Sequence, residues 1–588
     1  MSLPAIPSLI PAPGGAALAL DGEVRRAGIE EARALFRSGE VMVAHAAFVA
    51  GRLKVAPAKP LFDVLELFVF ARPAQPFVPS AFGMARALGL ALPSNADESA
   101  LALHAAAGAL LEELKSGNET QRAKLRPLAS TLARAGWRWG SAVLGVLGAP
   151  DKQLSPIAGL DVWRALPQWE DEAPPPKPGS LPVDADETRT RLFQLVRDAG
   201  ETRPEQTGYA LEAAYAFGAR EQAGAPRIAL IEAGTGVGKT LGYLAPASVW
   251  AEKNGPGLWI STYTRNLQRQ IVQEIARLYP DPAEREDKAV VRKGRENYLC
   301  LLNFEEAAKR TALMPGQRAI ALGLIARWVE RTRDGDISGA GFPAFLAASL
   351  SLREITDRRG ECVYAACPHY RTCFIERVVR RARHAPIVVA NHALVIAQAA
   401  GDALGPDETT DTPVEHRVRY VFDEGHHLFD AADSGFAAFL SATEMADLRR
   451  WIRGPEGRAR TRMRGLEERL KEIIEGDAPA RAALDEAVMA AGALAGEGWT
   501  TRLNTGGPRG PGEVFLSAAY GHVRARSADA DAFYSLEADT EPLSPETIEA
   551  ARRLGDGLRR LATPLLRLAQ TLRKKMADEA AELETYQR

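Results

Sequence analysis

The sequence predicts an α/β protein built on a parallel sheet, and three observations lead there. Short apolar runs (RIALIE, GLWISTYT, PIVVAN and RYVFDE) alternate with helical stretches, as buried strands joined by crossover helices do. A Gly-rich turn stands between the first run and a helix, the arrangement that cradles phosphate groups. From about Thr443 onward the strands give way to Ala/Leu/Arg/Glu-rich helices, which sets a helical region apart from the sheet.

The chain has 588 residues, too many for one hydrophobic core, so several domains are expected. With 73 basic and 75 acidic side chains the net charge is -2, and any nucleic-acid surface must be a local basic track. MSLPAIPSLIPAPGG carries no basic stretch before an apolar one, so it is not read as a secretory signal. No apolar run has membrane-spanning length, and a cytoplasmic protein with no membrane partner is expected. The acidic, Pro-rich stretch QWEDEAPPPKPGSLPVDADE reads as a stiff linker. The expected division is an N-terminal α/β accessory domain (1–165), a linker (166–190), a sheet domain in two pieces (191–291 and 375–435), a cysteine-bearing domain between them (292–374), and a helical region (436–588).

Ala233, Gly234, Thr235, Gly236, Val237, Gly238, Lys239 and Thr240 form a P-loop pattern, with Ala233 where a glycine usually stands. The glycines let backbone N–H groups close around phosphate oxygens; Lys239 reaches the β- and γ-phosphates and Thr240 can coordinate Mg²⁺. VFDE ends an apolar run on two adjacent carboxylates. Asp423 is placed to hold Mg²⁺, and Glu424 to orient the water that attacks the γ-phosphate. His426, next in the string DEGHH, either links phosphate state to motion or merely caps the strand end.

Cys300, Cys362, Cys367 and Cys373 are the only cysteines and lie within about one eighth of the chain. That confinement argues for a metal site over scattered thiols. No Cys-x2-Cys knuckle occurs, as zinc sites usually have; the spacing leaves zinc and an iron–sulphur cubane both open.

DEGHH resembles the DEAH box of superfamily 2 helicases, above all the DinG/XPD-like iron–sulphur branch. STYTRNLQRQ, KGRENYLC and APIVVANHALV, the last around Asn391 and His392, are similar to strings of that family. The resemblance covers about Arg189 to Asp430 closely. It implies a RecA-like first helicase domain, with ATP and Mg²⁺ as cofactors and Arg203 and Gln206 on the adenine. CVYAACPHYRTCF resembles the family's cluster motif, which implies a [4Fe–4S] cluster on the four cysteines and a helical arch after the sheet domain. The partners implied are single-stranded DNA and forked or duplex DNA, with movement 5′ to 3′, in DNA repair or replication.

A helicase of this kind needs a second RecA-like domain. No Gln-x-x-Gly-Arg-x-x-Arg string follows Asp430, so that domain is expected in cis or in trans and the arch is expected to be truncated. Ser441-Ala442-Thr443 mimics a family motif but lies too close to DEGHH and reads as a helix start. The alternative is an ATP- and DNA-binding regulatory module without autonomous unwinding; an electron-transfer ATPase is a third reading. Basic strings at Arg377–Arg383, Arg449–Arg453, Arg458–Arg464 and Arg573–Lys575 are DNA contacts or solvated helix faces. Tyr298, Tyr364 and Tyr370 either stack bases or pack around a cluster. The N-terminal domain faintly resembles DEDD exonucleases. Asp63 matches one acid, but Ala47 and Val49 stand where another belongs, alanines follow His104, and Asp21-Gly22-Glu23 looks like a turn. A degenerate, non-nucleolytic module is expected.

Overall fold

Nine strands form two sheets in a computed structural model that describes residues 3–148, 158–170, 173–196, 203–219, 226–311, 316–357, 362, 367–403, 419–454, 456, 465–471, 473–527 and 536–577. The chain divides into two units, Met1–Phe436 and Ala437–Arg588.

In the first unit, β1 (Ser8–Ala12), β2 (Gly15–Leu20) and β3 (Glu23–Gly28) make an antiparallel meander. The short β4 (Met42–Val43) and β5 (Phe62–Asp63) continue it in parallel, giving the order β3-β2-β1-β4-β5. Asp21 and Gly22, both at positive φ, form the two-residue turn between β2 and β3, the conformation that twists a hairpin correctly.

The chain on the two sides of the Pro-rich stretch does not fold apart. One hydrophobic core joins the Val64–Ala71 and Ala96–Ser116 helices to Leu299, Phe304 and the Gln317–Val329 helix. Every residue from Ala319 to Val329 is buried, because neighbours cover that helix on all sides. At Gly323 an added Cβ would lie 2.5 Å from Leu132 Cδ2, so a side chain there would force Leu132 to shift. The buried Arg327 donates from Nε to the Phe70 carbonyl at 3.0 Å and pairs with Glu330. Nor does the Pro-rich stretch hang loose: Gly179 N–H donates to the Asn254 carbonyl at 2.8 Å, and the Val183 side chain is buried.

The second sheet is parallel throughout: β6 (Leu258–Thr262), β7 (Ala289–Val291), β8 (Ile387–Asn391) and β9 (Arg419–Phe422), in the order β7-β8-β6-β9. Three of the four apolar runs that predicted strands supply β6, β8 and β9. The first does not: Arg227–Glu232 is irregular, with Ile228 75% and Leu230 99% exposed. Apolar content raises strand propensity, yet a strand exists only where a neighbour supplies the ladder, and among the described residues β9 pairs with β6 alone. The Lys239–Asn254 helix, buried continuously from Leu241 to Ala251, packs into the core of this sheet with Ile260, Ile271 and Val389.

The second unit is helical, with no strand among its described residues. Ser441 accepts at its Oγ from Glu444 N–H and so caps the Ala442–Arg453 helix, which makes Ser441-Ala442-Thr443 a helix start as expected. The unit's core joins that helix to Ala478–Ala490 and to the 33-residue Pro545–Ala577 helix through Met445, Leu484, Leu561 and Leu568. No helix among the described residues is long and apolar enough to cross a membrane.

Candidate nucleotide and cysteine sites

Parallel sheets place functional groups at the C-terminal ends of their strands, and the conspicuous polar residues gather there. The Gly-rich loop turns on Gly236 (φ 86) and Gly238 (φ 84), left-handed positions that a side chain would strain. At Gly238 a Cβ would also come 2.2 Å from Gln206 Nε2. Lys239 then starts the helix. Gln206 Nε2 donates to the Gly238 carbonyl and Arg203 Nη1 to the Gly236 carbonyl, each at 3.1 Å, so both residues reach the loop itself.

Lys239 Nζ lies 3.2 Å from Glu424 Oε1. Asp423, buried beside it, accepts from Thr262 Oγ1 at 3.3 Å, and its N–H donates to the Ser261 carbonyl at 2.8 Å. Burial pushes the Asp423 carboxyl above its ordinary value and the Glu424 charge adds to this, while Thr262 and Lys239 work against it. Glu424 itself sits at φ 55, a conformation rare for a non-glycine residue, which turns the chain sharply off β9. A loop of backbone donors, one lysine and two adjacent carboxylates can bind a phosphate chain and a divalent cation and position a water.

His426 is largely exposed, its Nδ1 3.6 Å from Glu424 Oε2. His427 instead stacks on Tyr263, ring centroids 3.8 Å apart and planes 13° from parallel. Ser261 Oγ lies 2.8 Å from Nδ1 of the buried His392, whose pKa burial lowers. Thr262 and the Tyr263–His427 stack carried no role in the sequence reading; their only signal was membership of strings quoted for other reasons.

Cys300, Cys362, Cys367 and Cys373 line one cavity, together with Arg295 and Tyr370. Burial raises all three of the Cys300, Cys367 and Cys373 thiols, Cys300 to about 12 and Cys373 to about 11. Backbone N–H groups aimed at them, from Asn303, His369, Ile375 and Glu376, oppose that rise. Among the described residues no group of three or more His, Cys, Asp or Glu side chains is placed to hold a metal ion.

Tyr298 is buried, its hydroxyl accepting from Lys293 N–H at 3.1 Å, which leaves no face for a base. Tyr370 packs against Trp169 and shares hydrogen bonds with Glu376 and Arg380; Tyr364 lies outside the described residues. Of the basic strings, Arg380 pairs with Glu376 and Arg381 reaches the Glu286 carbonyl. Arg449, Arg450 and Arg453 pair with Glu456 or Asp447, and Lys575 with Asp477. Arg458–Arg464 lies outside the described residues. In the N-terminal sheet, Asp63 accepts from the N–H groups of His45, Ala46 and Leu65, so it ties the chain together and caps a helix.

A Gly-rich loop at a helix start thus meets two adjacent carboxylates at the end of β9. No protein-family model matches the chain. It is 33% identical over 219 residues to the ATP-dependent DNA helicase YoaA of Escherichia coli K12, a match covering 37% of this chain and 33% of that one. It is 31% identical over 274 residues to the ATP-dependent helicase DinG of Mycobacterium tuberculosis H37Rv, covering 43% and 39%. A 3'-5' exonuclease DinG of Bacillus subtilis is 29% identical over 245 residues, 40% of this chain and 23% of that protein. The chain therefore spans about a third of the length of the curated relatives it matches. Within that stretch it is similar to the DinG-like helicases, the resemblance that its motifs implied.

Proposed function

We propose that this chain is the nucleotide-binding part of an ATP-dependent DNA helicase, moving 5′ to 3′ along single-stranded DNA and opening forked or duplex substrates in repair or replication. The observation that carries this reading is the direct contact between Lys239 and Glu424, which brings the loop and the acid box into one site. The loop N–H groups and Lys239 bind the ATP phosphates, with Arg203 and Gln206 moving from the loop to the adenine. Glu424, relieved of Lys239, orients the attacking water, and His426 links that change to motion. Thr240 and Asp423 are the residues that would hold Mg²⁺, which neutralises phosphate charge when bound. Arginines for the γ-phosphate come from a second RecA-like domain, in cis or in trans.

What supports a [4Fe–4S] cluster is that the four cysteines line one cavity, where burial makes the Cys300, Cys367 and Cys373 thiolates costly unless cationic iron offsets the charge. A cluster there would cross-link Cys300 to the 362–373 segment and help part the strands. The N-terminal module is read as non-nucleolytic, since Asp63 is committed to backbone N–H groups.

A second reading is an ATP- and DNA-binding regulatory module without unwinding of its own. ATPase measurements with and without single-stranded DNA separate the two. DNA-stimulated turnover that Lys239→Ala abolishes is expected; turnover retained in that variant overturns the site.

A further inference from the structure

We infer that the region upstream of the nucleotide-binding sheet is the holder of the cysteine site, with Trp163 and Trp169 as positioning residues that clamp the Cys367–Cys373 loop. This rests on the reading of the four cysteines as ligands of an iron–sulphur group.

The loop supplies two of the four thiols and has little of its own to keep its shape. Its internal hydrogen bonds are short-range: Tyr370 N–H to the Cys367 carbonyl, Thr372 to His369, Cys373 to Tyr370. These make one 3₁₀ turn, a weak element when alone. Its shape is set from outside. His369, buried midway along the loop, contacts Glu305 at 2.6 Å and meets the edge of Trp163 at 6.0 Å. Trp163 also faces Phe304 and belongs to the core that contains Leu128 and Trp139, so that core bears directly on the loop.

Trp169 makes the second clamp. Its backbone N–H donates to the Arg371 carbonyl at 2.9 Å and its indole N–H to the Tyr370 carbonyl at 2.8 Å. Its ring meets Tyr370 edge-on at 5.0 Å, and the Arg380 guanidinium lies 3.7 Å over it. A few residues on, the Ala173 carbonyl contacts His384 Nε2 at 2.9 Å. The neighbours Gln168 and Glu170 are exposed, so a large aromatic here stands in a polar, Pro-rich stretch and spends its polar groups on the cysteine loop. Trp163 alone would read as an ordinary core residue. Trp169 would not, and it can be removed without hollowing that core.

Groups behind metal ligands typically change metal retention by about 10- to 100-fold when removed. The test uses the full chain purified without oxygen: the native protein, Trp169→Ala, Trp169→Phe, and Trp451→Ala as a control in the other unit. Iron and acid-labile sulphide per chain are measured, then the rate at which an iron chelator bleaches visible absorbance. Release about tenfold faster in Trp169→Ala is expected, an intermediate rate in Trp169→Phe, which keeps a ring but loses the indole N–H, and no change in Trp451→Ala. The thermal melting transition of each variant, followed by circular dichroism, reports that it is folded; should Trp169→Ala unfold, Trp169→Phe carries the test. Equal release rates in native protein and folded Trp169 variants overturn the inference while leaving the cluster intact. Native protein with neither iron nor sulphide overturns the reading of the cysteines, and the clamp with it.

Discussion

Replacing Glu424 with glutamine separates two effects that the nucleotide site combines. Lys239 is held by Glu424 at 3.2 Å, with the two side chains 29% and 31% exposed, so under the proposed function the phosphates of ATP would compete with a carboxylate for the lysine. A partly exposed ion pair of this kind is worth about 0.5–1 kcal/mol after screening. Glutamine keeps the shape and removes the charge, so ATP should bind about 2- to 5-fold more tightly. Turnover should move the other way, falling by about 10²- to 10⁴-fold, because the group proposed to orient the water would have lost its negative charge. Titration with a fluorescent ATP analogue at low and moderate salt measures the first effect, and the gain should shrink as salt screens the pair. Single-turnover hydrolysis measures the second. Weaker ATP binding in Glu424→Gln, or hydrolysis at the native rate, would refute the competition.

Two further predictions concern the first unit. Phe304 is fully buried in the core that joins the N-terminal helices to the cysteine-bearing segment, so Phe304→Ala should cost about 3–5 kcal/mol. Calorimetry should show both regions losing stability in one transition; two transitions, one unmoved, contradict a common core. Glu66 is pushed up to about 8, first by burial and then by the Asp63 charge, against an indole N–H from Trp137 at 2.9 Å. Its contribution to stability is therefore complete below the unfolded carboxylate value near ~4.3 and is lost as pH rises through about 8. Urea denaturation at pH 6 and pH 9 should show a smaller loss on alkalinisation in Glu66→Gln than in the native chain, and equal losses would show that Glu66 is not the group responsible.

What the sequence made legible was local or carried by short strings. The runs that became β6 and β8 could be read because buried parallel strands are continuously apolar, whereas the half-buried β9 was marked by the apolar residues before its acid pair. The Gly-rich turn could be read because Gly236 and Gly238 occupy conformations that glycine alone adopts cheaply. The failures share a cause. RIALIE has the composition of a strand, but pairing depends on a neighbour that composition does not reveal. QWEDEAPPPKPGS reads as a spacer, because the bonds that hold Trp169 end on residues about 200 positions away. Asp63 looked like one acid of a lost metal site, whereas its oxygens accept N–H groups from His45, Ala46 and Leu65, the first two reached only through the fold. The Tyr263–His427 stack likewise joins two strand ends that only the sheet brings side by side.

The Gln317–Val329 helix has a mechanical meaning. With eleven successive residues enclosed, it cannot slide or roll without tearing neighbours on every side at once. It acts as a fixed axle through the upstream helices and the cysteine-bearing segment. A displacement of that segment would therefore carry the upstream helices with it.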